Sequence, residues 1–149
     1  MDREILFRGQ DVATGDWIKG FYVHLFDDKG NDSHRIYLGY AETDCEDYYP
    51  DFCEVDPETV GQFTGMIDST GNKVFEGDIL EAYTYKKRRK HRIFLSEVYY
   101  ENGAFYIRFM EHGVALLSGL INSFNFEGEG TFSKVIGNIH DNPELLKGC

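Results

Sequence analysis

Phe7-Arg8-Gly9, followed by Thr14-Gly15 and Gly20, recurs 56 residues later as Phe63-Thr64-Gly65, followed by Thr70-Gly71 and Gly77. One residue is inserted before the last glycine. Each copy reads as strand, Thr-Gly turn, strand, long tip and returning strand. Glycine at such turns supplies the left-handed backbone that other residues resist. Thr-Gly turns are common, so the match argues for shared hairpin geometry more than for duplication.

The remaining pattern is also that of short strands. Ile5-Leu6-Phe7 opens the chain, and Trp17 to Phe26 is a long aromatic and β-branched run, with Gly20 as a bulge or close-approach point. Residues 27–32 form a polar loop, and Arg35 to Tyr40 returns. Residues 41–54 are acidic around Tyr48-Tyr49-Pro50 and read as an exposed connection. Asp56-Pro57 has the chemistry of a helix start, and Gly61 limits that helix to one turn.

Gln62 to Met66, the turn Asp68-Ser69-Thr70-Gly71-Asn72 and the strands Ile79–Tyr85 and Ile93–Tyr100 follow. Asn102-Gly103 between apolar runs is a two-residue hairpin turn, because both residues tolerate positive φ. Val114 to Ile121 fits a short helix or a buried strand equally well. A loop at Gly128 and Gly130, a short strand Val135–Ile139 and a last helix capped by Asn142-Pro143-Glu144 complete the chain. With 12 Phe and 10 Tyr supporting pleated surfaces, the expected class is mainly β (β-rich α+β). The expected architecture is two small β subdomains, 1–54 and 55–149, built of twisted hairpins as an SH3-like or partly open barrel with short helices only.

Cys45, Cys53 and Cys149 are odd in number and lack a Cys-x-x-Cys pair, so a disulfide framework is not expected and a reduced, cytoplasmic setting is. The charged Met1-Asp2-Arg3-Glu4 start leads into no signal-like apolar run, and no stretch of 18 apolar residues suggests a membrane span.

The net charge is −11, yet Lys86, Lys87, Arg88, Arg89, Lys90 and Arg92 crowd six cations into seven positions. Without them the balance is 26 acids to 9 bases. An acidic body with one basic tip follows. The tip is a candidate contact for nucleic acid or for a partner protein, with Tyr83, Tyr85 and Phe94 able to stack on bases if they reach the surface. The plainer reading is a solvated loop.

Catalytic chemistry has no counterpart in the spacing. Asp44, Glu46, Asp47 and Asp51 lack EF-hand order, and so does the 27–32 loop. His24, His34, His91, His112 and His140 are scattered singly, with no His-x-x-x-His pair, and His24 reads as a satisfied strand histidine. A dyad of Cys45 or Cys53 with His34 has no activating surroundings. Gly128-Glu129-Gly130 is no phosphate loop. The expectation is no catalytic, cofactor-binding or metal residues, and no cofactor.

Three segments together resemble the YopX family, small proteins encoded by phages and prophages of Gram-positive bacteria. They are Arg3-Glu4-Ile5-Leu6-Phe7-Arg8-Gly9 with Thr14-Gly15-Asp16-Trp17, the stretch from Val55 through Phe63-Thr64-Gly65 to Gly77-Asp78-Ile79, and Val135-Ile136-Gly137-Asn138-Ile139-His140-Asp141-Asn142-Pro143-Glu144-Leu145-Leu146. The resemblance implies a phage or prophage accessory protein that associates with itself in the bacterial cytoplasm, a family without an established activity. It carries over no catalytic residue. The expected function is therefore non-enzymatic: self-association and contact with a host or phage protein. Nucleic-acid binding through 86–92 is the alternative, and an enzyme ranks third.

Overall fold

The structure, a computed structural model, describes residues 2–42, 48–87, 89–109, 113–117, 123–124 and 130–147. Strands β1 (Phe7–Gln10), β2 (Trp17–Phe26), β3 (Asp32–Glu42), β4 (Tyr48–Glu54), β5 (Gly61–Ile67) and β6 (Lys73–Phe75) follow one another in one antiparallel sheet. Its order is β4-β3-β2-β1-β5-β6. Strands β7 (Asp78–Lys86), β8 (Arg89–Glu101), β9 (Ala104–Phe109), β10 (Gly113–Leu116), β11 (Ser123–Phe124) and β12 (Gly130–Asn138) make the second sheet, ordered β10-β9-β8-β7-β12-β11. One α-helix, α1 (Glu144–Lys147), follows. The mainly β class stands. Neither strand order closes on itself among the described residues, so both sheets are open rather than SH3-like barrels. No helix among the described residues is long and apolar enough to cross a membrane.

The chain divides into two units, 1–63 and 64–149. The sequence placed that boundary at 54/55. Residues 55–63 stay with the first unit because β1 pairs with β5, Phe7 opposite Gln62 and Arg8 opposite Gly61. Between them, Asp56 caps the 3-10 turn Pro57–Thr59 by accepting from Glu58 N at 3.0 Å, the single turn that the Asp-Pro start predicts. Buried Thr59 is the latch of this turn. Its hydroxyl donates to the Asp56 carbonyl at 2.7 Å and accepts the Gln10 amide at 2.9 Å, meeting a β1 donor that no strand covers.

The acidic composition of 41–54 predicts an exposed connection, but 48–54 form β4, paired along β3 from Arg35↔Glu54 to Glu42↔Tyr48. Pro50, Asp51 and Glu54 suit an edge strand, where a missing donor is harmless and charge discourages further pairing. The underlying alternation of Tyr48, Pro50, Phe52 and Glu54 was hidden by that charge. Cys45 and residues 43–47 lie outside the described residues.

In the first unit the buried Ile36 and Val55 press on Gly9, where an added Cβ would stand 3.1 Å from Val55 Cβ. Strand β2 pairs β1 through Gly20 and β3 from Phe21 onward, so Gly20 marks its change of partner. The second unit buries Val74, Leu80, Val98, Ile107 and Leu117 as one cluster, flanked by Met66, Phe105, Phe109 and Val135. Of the ambiguous run 114–121, Val114–Leu116 belong to β10, and 118–121 lie outside the described residues. The short strand expected at Val135–Ile139 is the end of the longer β12, which stops at Asn138 and has a bulge between Val135 and Gly137.

The internal match holds only in part. Gly15 and Gly71 both have positive φ, 77° and 87°. Gly20, however, is an extended strand residue, whereas Gly77 (φ 85°) makes the β6–β7 turn. The loop that resembles Asp68–Asn72 most is Asp27–Asn31. In each, the aspartate amide donates to the asparagine carbonyl, and one carboxylate oxygen accepts two amides within the loop.

Candidate functional site

The basic tip is a β-hairpin, as its sequence suggests. Lys86 pairs with Arg89 across a two-residue turn, then Tyr85 with Lys90 and Thr84 with His91. Lys86, Lys87, Arg89 and His91 line an open cavity of about 480 Å³. Lys87 has φ 50°. Asn102, the other non-glycine residue described with positive φ, sits in the Asn-Gly turn that this conformation favours. Lysine has no such preference, so the tip holds a cation where the backbone resists it, at a cost of roughly 1–2 kcal/mol. Lys90 Nζ lies 3.7 Å from the Tyr83 ring centre and 5.3 Å from that of Phe132. Of the three candidate stacking rings, Tyr85 is exposed. Tyr83 is covered by Lys90 and donates its hydroxyl to Glu81, and Phe94 packs edge-on against Phe109 at 4.3 Å. Arg88 and the Arg92 side chain lie outside the described residues.

A second surface lies on the first unit. Cross-strand register sets Phe21 opposite Tyr37 and Tyr37 opposite Phe52, so three rings share one face of β2-β3-β4. Phe21 is 65% exposed and Phe52 38%. The Arg35 guanidinium stacks 4.3 Å from the Phe52 ring, and that of Arg8 4.8 Å from Trp17. Lys19, opposite Arg8, adds a further cation.

The opposite face of the β2–β3 hairpin carries a constellation that spacing alone concealed. Residues two apart on a strand share a face, which puts Tyr22, His24 and Phe26 alongside Asp32, His34 and Ile36. The register sets His24 directly opposite His34, and their rings stack with centroids 4.1 Å apart. Asp32 Oδ2 lies 3.1 Å from His24 Nε2 and 3.2 Å from His34 Nε2. The Tyr22 hydroxyl meets His34 Nδ1 at 2.6 Å. Hydrogen bonds from His24 and His34 hold the Asp32 carboxyl below its ordinary value, while burial and then the Asp32 charge raise the Tyr22 phenol. A sequence search for His-x-x-x-His misses this site. The symmetry of His24 and His34 about Lys29 is the signal that finds it, once 27–31 is known to be the loop.

The other polar candidates resolve into structure. Both Asp27 oxygens are engaged by their own loop, through the Lys29 and Asn31 amides and the Asn31 side chain, which explains an EF-hand-like composition without EF-hand order. The Cys53 thiol is raised by burial and then by neighbouring Asp11, the reverse of an activated thiolate. His34 is turned towards Tyr22 and Asp32, and Cys149 and His112 lie outside the described residues. The Asn138–Pro143 stretch folds on itself: Asn138 Oδ1 accepts the His140 and Asp141 amides, both at 2.9 Å, and its side-chain amide donates to Asp141.

The family described as YopX protein matches residues 6–147. The crystal structure of protein EF1440 from Enterococcus faecalis is similar, with a TM-score of 0.58 and 27% identity, covering 97% of this chain and 99% of that one. No curated protein matches the chain.

Proposed function

Because the chain belongs to the YopX family, we propose that it is a non-enzymatic accessory protein, phage- or prophage-derived, that works by self-association and contact with another protein. The observation that supports this most is the ring face of β2-β3-β4, with Phe21 and Phe52 exposed beside stacked Arg35. Aromatic side chains and arginine are the residues that interface centres favour. The occupant is a second copy of the chain, joined face to face. Pro50, Asp51 and Glu54 make the neighbouring β4 edge a poor template for strand addition. Glu54, two residues from Phe52 and so on the same face, supplies a negative charge to complement the other copy's Arg35 in a two-fold arrangement.

Light scattering is expected to give twice the 17.2 kDa of one chain. Phe21→Lys with Phe52→Lys is expected to give the single-chain mass with an unchanged circular dichroism spectrum, since both side chains are exposed. A wild type that stays at the single-chain mass at every concentration overturns the reading.

A second reading rests on Lys87: its left-handed backbone keeps a cation at the tip of the basic cavity. Four engaged cations on duplex DNA give a log–log salt slope of about −3 to −4. Labelled oligonucleotides should bind with that slope and lose it in Lys86→Glu/Lys87→Glu/Arg89→Glu. Absence of salt-sensitive binding by the wild type removes this alternative.

A further inference from the structure

We propose that the tip of the β2–β3 hairpin is a metal site, in which His24 Nε2, His34 Nε2 and Asp32 Oδ2 take one divalent transition-metal ion of the zinc class. These three ligand atoms lie within 4.8 Å of one another. Around a tetrahedral ion with ligands about 2.0–2.2 Å away, donors stand about 3.3–3.6 Å apart. Asp32 stands within a few tenths of an ångström of that spacing to both imidazoles, at 3.1 and 3.2 Å. The two stacked imidazoles need only turn their Nε2 atoms towards a common centre. Side-chain exposures of 38% at His24 and 53% at Asp32 leave room for that rotation.

Two features mark a built site rather than a chance meeting of polar groups. The first is the support behind His34. Tyr22 lies 2.6 Å from its Nδ1, placed so that, with the ring proton on Nδ1 and donated to the phenol oxygen, Nε2 would present its lone pair to an ion, the usual arrangement of a ligating imidazole and its outer partner. The second is the frame. His24 and His34 are a direct cross-strand pair, and Asp27 ties the loop between them by bonds to Lys29 and Asn31. The hairpin therefore holds its ligands on rigid strands and not on a loop.

The donor set selects the ion. Two imidazoles and one carboxylate suit Zn²⁺, Co²⁺ or Ni²⁺, whereas Ca²⁺ and Mg²⁺ require a shell of oxygens. Three protein ligands leave the fourth position to water, on the exposed side of the hairpin. Binding exchanges the carboxylate's hydrogen bonds to the imidazoles for bonds to the ion, each Nε2 proton passing to Nδ1 of its own ring or, from a charged imidazole, to solvent.

The test is calorimetric titration of untagged protein with Zn²⁺ and with Ca²⁺, together with visible spectra on adding Co²⁺. One Zn²⁺ per chain, tetrahedral Co²⁺ absorption and no Ca²⁺ heat are expected. His34→Ala and Asp32→Asn should abolish the Co²⁺ spectrum. His24→Ala, at the exposed position, serves in place of His34→Ala if that variant misfolds. Tyr22→Phe, which removes only the outer partner, should keep the stoichiometry and weaken binding about 10–100-fold. Cys53→Ser should bind as wild type. No saturable Zn²⁺ binding, or binding that survives loss of His24 and His34, overturns the site.

Discussion

Asp68→Asn is expected to destabilise the second unit by about 3 kcal/mol or more at neutral pH, because one buried carboxylate accepts four hydrogen bonds. Asp68 is 3% exposed. Its Oδ1 accepts the Thr70 amide and hydroxyl, each at 2.8 Å, and the Asn72 amide at 2.9 Å. Its Oδ2 accepts the Val135 amide at 2.9 Å, from β12. This side chain thus ties the loop to a strand 67 residues away, beside one backbone bond from the Ser69 amide to the Ser133 carbonyl at 2.9 Å. Asparagine keeps the shape but must turn an NH2 group towards one set of donors, leaving buried N–H groups unpaired. Asp27 closes the same loop geometry at an exposed site with no distant amide, so Asp27→Asn is the control and should cost far less.

The pH dependence carries a definite sign. Burial alone would raise the Asp68 carboxyl, but the Val135 amide and the Thr70 and Asn72 donors outweigh it and hold the group below its ordinary 3.8. A carboxyl depressed in the folded state adds stability that is present above the unfolded value and lost as pH falls through the folded one. The stability difference between wild type and Asp68→Asn should therefore be constant above about pH 5 and shrink below about pH 4. Denaturant titrations from pH 7 down to 2 measure it, and exchange of the Val135 amide reports the bond directly. A difference that stays flat to pH 2 would show that the carboxylate is not what these amides need.

Where a local residue type dictates backbone, the chain was legible. Asn102-Gly103 turns with φ 49° and 84°, Asp56-Pro57 starts a single helical turn, and the basic run is a hairpin tip. The segments that carry the family resemblance prove to be such architecture. Thr59 latches β1, Asp68 ties its loop to β12, and Asn138 folds the closing turn. Illegibility began where meaning depends on register. His24 and His34 look unrelated in sequence, because ten positions of separation match no helical or motif spacing. Only a loop placed at 27–31, one residue shorter than the polar run suggests, makes them opposite. Strand β4 was hidden for a different reason. Its acids are edge protection, and edge protection resembles loop composition.

Gly20→Ala tests that register at its tightest point. An added Cβ would collide with the Tyr37 carbonyl oxygen and stand 2.9 Å from Ile36 Cγ2. Ile36 is fully buried and the carbonyl is backbone, so neither neighbour can swing aside as a flexible side chain would. Overpacking of this kind costs at least the upper part of the usual 1–3 kcal/mol range, which for a unit of this size lowers its melting point by on the order of 10 °C. Gly15→Ala separates crowding from backbone preference. Its added Cβ meets nothing within 4 Å, and only the left-handed φ of 77° opposes it, at about 1–2 kcal/mol. Trp17, the chain's one tryptophan, lies on β2 three residues from Gly20, so its fluorescence reports the first unit. Thermal melts followed at Trp17 should rank wild type above Gly15→Ala, and Gly15→Ala above Gly20→Ala. If Gly20→Ala melts with wild type, β3 does not cross β2 where this register puts it, and the pairing of His24 with His34 a few residues along the same strands loses its foundation.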